Sequence, residues 1–274
     1  MYLNGRLLMN SSNLTCLNTT GYKFINIDDL NKTFEEVKLI CSNKGLLGTI
    51  YIANEGININ LAGPENKIIS VENFFDNHKI FSGIHFKHTY SKQPPFKKLK
   101  IKIKPEIISI KQKTKNLSQV KKNYVEPKEL EKMLNNGQEI HLLDTRNNYE
   151  INIGTFKNSK NLNILKFEDF VNKSDKFKNL DGEVVMFCTG GIRCEKAQGF
   201  LSENGISTFK QLKGGIINYL IETDGKYWDG ECFVFDDRIT IDKELNPTYK
   251  NLCPNCQVII NSIDRKSCNC SITS

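Results

Sequence analysis

Long hydrophobic runs are missing from this sequence. No apolar stretch approaches the roughly 18 residues that cross a bilayer, so neither a membrane-spanning enzyme nor a membrane partner is expected. Leu7-Leu8-Met9 is broken by Asn10 and Ser11, which argues against a secretory leader, and the reading is cytosolic. Histidine is scarce: His78, His85, His88 and His141 show no ligand spacing and carry no functional assignment. Flavin, haem and facial-triad iron patterns are absent as well, so no cofactor for catalysis is evident. Nine cysteines in 274 residues are an odd number in a long chain. That excludes a small disulfide-stapled scaffold and points to reduced thiols used for catalysis or metal.

What is present begins with positive charge. The net charge is +7, and it is concentrated. Residues 87–122 hold twelve lysines and one acid, Glu106, leaving the rest of the chain slightly acidic. Such a block is the footprint of a phosphate-backbone partner, or of a solvated lysine-rich linker.

The apolar pattern divides the chain in two. After an irregular tail (1–21), residues 22–110 read as βαββαβ: a strand at 22–27, a helix capped by Asp28 or Asp29, strands at 46–53 and 57–61 around a turn at 54–56, a helix from Pro64, and strands at 85–90 and 99–110. That order predicts a ferredoxin-like α+β sandwich. Period two along Lys98-Leu99-Lys100-Ile101-Lys102-Ile103-Lys104 places the three apolar residues in the core and the four lysines together on the opposite face. With Phe96 and Tyr90 nearby, that face suits an RNA backbone and a stacked base; an amphipathic strand kept soluble by lysine is the plainer alternative. Residues 111–123 read as a linker. From 124 to 230 helices and strands alternate, predicting a parallel α/β sheet whose ligands sit beyond the strand ends. Residues 231–274 form a C-terminal extension with a cysteine-rich tail.

The most informative stretch follows the apolar strand 184–187: Cys188, Thr189, Gly190, Gly191, Ile192, Arg193, Cys194. Two glycines permit a tight curve into a helix expected at 195–204. Backbone N–H groups and the helix N-terminus then converge on the sulfur and favour its thiolate. Arg193 adds a fixed positive charge for an anion or persulfide. Four residues separate Cys188 from Arg193, one fewer than a cysteine phosphatase cradle needs, so the loop fits a sulfur or oxygen atom better than a phosphoryl group.

Residues 188–196 resemble the active loop of the rhodanese-domain tRNA uridine(34) hydroxylases. Segments 143–156, 48–58, 95–100 and 230–238 resemble that family too, in family order. The resemblance implies a rhodanese fold for the second half, tRNA as partner, and oxygen-dependent 5-hydroxylation of wobble uridine 34. It further implies Cys188 as the catalytic residue and molecular oxygen as co-substrate; the electron donor is unspecified. Asp144 and Arg146, at a strand end, either line the pocket or form an ion pair that holds the loop. Cys194 either resolves an oxidised Cys188 or packs in the first helical turn, and Asn54 and Glu55 either contact RNA or only form a turn. Cys253, Cys256, Cys268 and Cys270 form two pairs that bind structural zinc or remain four free thiols. A persulfide-carrying sulfurtransferase and a non-catalytic RNA-binding module are the rival functions.

Overall fold

The computed structural model describes residues 2–3, 6–7, 15–120, 122–174, 182–206, 209–248, 250–252 and 259–260. Strand β1 (Cys16–Phe24) is followed by α1 (Leu30–Asn43), β2 (Leu47–Ala53), β3 (Gly56–Gly63), α2 (Glu65–Asn77), β4 (Lys87–Ser91) and β5 (Leu99–Ile103). The sheet order is β4-β1-β3-β2-β5, antiparallel except for β5, which joins β2 in parallel. This is the ferredoxin-like sandwich with one added edge strand.

Asp29 caps α1 by accepting the Lys32 N–H at 2.9 Å. One sheet face packs Leu17, Ile50, Ile52, Ile57, Ile59 and Leu61 against Val37, Cys41, Ile68, Val71 and Phe75 of the two helices. The other face carries no helix. In-register pairing sets a row across it: Lys87, Thr20, Asn60, Thr49, Lys100, and beside it Tyr22, Asn58, Tyr51, Lys102.

Several expectations need correction here. The first strand starts at Cys16, inside the tail read as irregular; Asn18 and Thr20 occupy the polar open face, so apolar alternation never announced the strand. The last strand ends at Ile103 rather than 110; Lys104 N makes the last bond to Ile52 O just before Pro105. It is also an edge: Leu99 and Ile101 are only partly buried and Ile103 is 41 % exposed. Tyr90 is turned toward the helix-covered core, away from the lysine face. The segment read as a linker is packed, with Leu117 buried among Phe24, Ala53 and Ile107, and Lys115 N donating to Gly199 O.

The second half contains β6 (Tyr124–Val125), α3 (Pro127–Asn135), β7 (Ile140–Asp144), α4 (Asn148–Ile151), β8 (Gly154–Phe156), β9 (Lys160–Asn161), α5 (Phe170–Lys173), β10 (Glu183–Phe187), α6 (Ile192–Glu203), β11 (Phe209–Leu212) and α7 (Gly215–Glu222). Its parallel sheet runs β9-β7-β10-β11-β6. Both faces are covered, Val185 and Phe187 packing on one side and Val184 and Met186 on the other. Helix α6 starts three residues earlier than expected. The boundary at 230 also shifts, since Cys232, Val234 and Ile241 belong to this domain's core. They arrive on β12 (Trp228–Gly230), paired with β8, and on the β13–β14 hairpin (Cys232–Phe233, Thr240–Ile241).

Candidate active site

The buried strand β10 delivers Cys188 to the carboxyl end of the parallel sheet, and α6 begins four residues on. Gly191 makes the turn with φ 98°, a left-handed value that suits glycine, and its N–H donates to Cys188 Sγ at 3.1 Å. The loop is held from below by Ile216 N donating to Cys188 O and Ile217 N to Thr189 O. Cys188 is 1 % exposed. Burial pushes its thiol up, but the Cys194 thiol, the Arg193 charge and the backbone N–H groups of Cys194 and Arg193 together outweigh burial and bring it down to about 6. Cys194 moves the opposite way, raised by burial and by donating to Cys188, so it keeps its proton.

The expected site residues separate into groups. Thr189, Gly190, Ile192 and Arg193 line a cleft of about 380 Å³ that has Cys188 among its walls. The Thr189 hydroxyl is buried there without a hydrogen-bond partner among the described residues. Arg193 is not a free anion receptor: both of its terminal nitrogens grip Glu150 at 2.8 Å, a buried bidentate pair. Asp144 and Arg146 lie outside the cleft. They pair with each other at 2.7 Å, Arg146 also donating to Gly154 O and stacking on Trp228, an arrangement that braces the strand end. Cys194 sits beside the Thr145 hydroxyl at 3.5 Å. Cys253, Cys256, Cys268 and Cys270 lie outside the described residues, and among the described residues no group of three or more His, Cys, Asp or Glu could hold a metal.

The opposite wall of the cleft is the open sheet face of the first domain. Asn18, Thr20, Tyr22, Thr49, Tyr51, Asn58 and Asn60 line it, with Phe96 at its side. Lys100 and Lys102 continue that face to the exposed edge, and Lys104 lies over the Tyr51 ring. The lysine strand thereby lies at the margin of the sheet face that walls the cleft, beyond the residues that line it.

Residues the sequence did not single out hold the two walls together. Glu195 accepts from Tyr22 Oη at 3.1 Å and Tyr124 Oη at 3.2 Å, and pairs with Lys122 at 2.6 Å. Lys196 is clasped by Glu55 and Glu106. Arg238 donates to Thr89 Oγ1 at 2.7 Å while its fork holds Asp236. Glu55 is therefore a domain clasp, and Asn54 donates to Ile27 O within its own domain. The available signal was that Glu195 and Lys196 fall inside the loop motif and that Glu55, Asp236 and Arg238 fall in the segments 48–58 and 230–238. Gly191 also gains a second reason: a Cβ there would sit 2.9 Å from Tyr22 Oη, so the bare turn lets the first domain close on the loop.

Comparison with known proteins divides the chain at the same place. Residues 17–107 match the UPF0176 acylphosphatase like domain and residues 126–222 the Rhodanese-like domain. Among curated relatives, a tRNA uridine(34) hydroxylase of Wolbachia pipientis is 35 % identical over 251 residues, 90 % of this chain and 89 % of the relative. One of Synechococcus elongatus is 38 % identical over 239 residues, 86 % and 88 % of the two chains. Among solved structures, a rhodanese-related protein from Thermoplasma volcanium covers 36 % of this chain and 92 % of its own, at 23 % identity and a TM-score of 0.31.

Proposed function

The chain belongs to the tRNA uridine(34) hydroxylase family, and we propose that it converts C5–H of the wobble uridine to C5–OH with Cys188 as nucleophile and dioxygen as co-substrate, one oxygen atom entering the base and the other leaving as water with two electrons and two protons from an external reductant. The observation that carries this reading is an acidified cysteine in a cleft whose facing wall is polar and edged with lysines. The base leaves the anticodon stack and enters the cleft. Its O and N–H groups meet the Asn and Thr side chains of the open sheet, and the unpartnered Thr189 hydroxyl donates to one of its oxygens. The Cys188 thiolate adds to C6, which places carbanion character on C5, the atom to be oxidised. The edge lysines Lys98, Lys100, Lys102 and Lys104 run along the phosphates outside. Arg193 acts through Glu150, holding the loop's shape while its charge favours the thiolate.

The test is nucleoside mass spectrometry of tRNA from a deletion strain that also lacks any parallel hydroxylation route. Wild type restores 5-hydroxyuridine derivatives and Cys188→Ser does not. Restoration by both variants would remove Cys188 from the mechanism. The rhodanese-like match at residues 126–222 keeps sulfur transfer as the second reading; robust thiosulfate:cyanide turnover by purified protein, with a sulfur-containing nucleoside changing in the strain, would establish it instead.

A further inference from the structure

Every cation at the rhodanese wall and its clasps is already spoken for. Arg193 holds Glu150, Arg146 holds Asp144, Lys196 lies between Glu55 and Glu106, Lys122 is on Glu195, and Arg238 is on Asp236. Lys87 is the exception. It stands on β4 at the open face, paired in register with Thr20, and is 4 % exposed. Its ammonium makes no hydrogen bond or ion pair among the described residues. Its ammonium lies over the Tyr22 ring, 5.6 Å from the centroid. Its Cε lies 3.9 Å from where a Cβ on Gly190 would be, directly against the cysteine loop.

We infer that Lys87, reaching across from the first domain, is the positioning residue that supplies the counter-charge for the Cys188 thiolate. An ammonium buried without an anion is strongly unfavourable, so its presence calls for an anion that forms nearby. Several titratable groups share its surroundings: Cys188 and Cys194 with Arg193 on the loop, Glu195 on α6, Tyr22 on β1, Tyr124 and Lys122 ahead of α3, and His85 beside Lys87 itself. Glu195 is neutralised by Lys122 and already accepts two phenol hydrogen bonds, and both tyrosines are pushed further from ionising. Cys194 keeps its proton. That leaves the Cys188 sulfur as the acceptor of the Lys87 field. Burial lowers the Lys87 ammonium while Cys188 and Glu195 oppose the fall, leaving the group at about 8, so it is mostly charged at neutral pH. The consequence is a composite site, in which the rhodanese half alone holds a less acidic cysteine.

This does not depend on which molecule the sulfur attacks, so it is tested without tRNA. Iodoacetamide labelling of Cys188 in the full-length protein is followed by peptide mass spectrometry from pH 4.5 to 9, for wild type, Lys87→Met and Lys87→Arg. The expected result is a half-point near 6 in wild type, raised by about one pH unit in Lys87→Met, which is about a fivefold slower reaction at pH 6. Lys87→Arg retains the wild-type half-point. A folded Lys87→Met, by unchanged thermal midpoint, with the wild-type profile would overturn the inference. So would an equal rise in Lys87→Met and Lys87→Arg, which would assign the effect to packing and not charge. Should Lys87→Met not fold, Lys87→Gln against Lys87→Arg makes the same comparison. Loss of the hydroxylase reading with the labelling shift intact would leave this inference standing.

Discussion

The two walls of the cleft are built on opposite electrostatic plans. The rhodanese wall carries charge that is matched: Arg193 with Glu150 and Arg238 with Asp236, backed just behind the cleft by Glu195 with Lys122. The wall from the first domain is mostly uncharged Asn, Thr and Tyr, with unmatched positive charge at its margins, Lys87 buried at one end and the Lys98–Lys104 edge exposed at the other. A matched wall holds one geometry regardless of what enters. An unmatched wall recruits an anion, inside the cleft as thiolate and outside it as phosphate. Chemistry and recognition are thus divided between domains, and neither half is complete alone.

The largest expected effect tests the chemical wall. Cys188→Ser removes the thiolate, and turnover on tRNA is expected to fall by about 10³-fold or more, while the thermal midpoint stays near wild type. Next comes the clasp. Lys196→Met leaves Glu55 and Glu106 facing each other without their cation. A broken buried pair costs about 3–5 kcal/mol, and since both carboxylates keep some solvent contact the lower end is expected, about 2–3 kcal/mol in urea unfolding. Lys100→Met, on the exposed edge, is expected to stay within about 0.5 kcal/mol. Equal destabilisation by both would erase the distinction between matched and unmatched charge.

The fold was largely legible because apolar period and turn chemistry carry it: the βαββαβ order, the alternation after residue 124 and the loop at Cys188 all follow from local pattern. The first strand was cut short because Asn18 and Thr20 face a polar cleft, and a strand whose one face meets polar ligand gives no apolar alternation. Helix α6 hid more. Arg193, Glu195 and Lys196 make it read as solvated, yet all three are buried, because their partners Glu150, Tyr22, Glu55 and Glu106 lie 43 to 173 residues away. Period reports burial against apolar neighbours and is blind to burial by ion pairing across domains. Lys87 was invisible for the same reason: one more lysine in a run of twelve, it differs from the rest only by what stands opposite.

A smaller effect separates the exposed lysines from the buried one. Lys100→Ala combined with Lys102→Ala should weaken tRNA binding several-fold at physiological salt and lower the slope of log K against log salt by roughly 1–2, the change expected from two lost phosphate contacts. The Cys188 labelling profile should stay where it was. Lys87→Met should do the reverse, moving the profile with little change in the salt slope. Filter binding across a salt series makes the measurement; an unaltered slope in the double variant would confine the lysine edge to solubility.

A last contrast concerns the two thiols of the loop, which differ in the sense of their shift although six residues apart. Cys188 is lowered to about 6, whereas Cys194 is raised by burial and by its hydrogen bond to Cys188. A protonated Cys194 is a donor to the thiolate, so Cys194→Ala removes one of several groups holding the anion. A hydrogen bond to a charged group is worth about 1.5–3 kcal/mol, and the labelling half-point should rise by about one pH unit or more. Labelling is then slower below the half-point and unchanged well above it, where the sulfur is ionised in either variant. Repeated turnover on tRNA should persist in Cys194→Ala, because a donor can be replaced by the remaining N–H groups. A variant that completes one turnover and stops would instead make Cys194 the thiol that resolves an oxidised Cys188, and its proton would then have to leave during the cycle. Its raised pKa, set by burial and by the hydrogen bond to Cys188, argues against that, since a resolving thiol attacks as its thiolate.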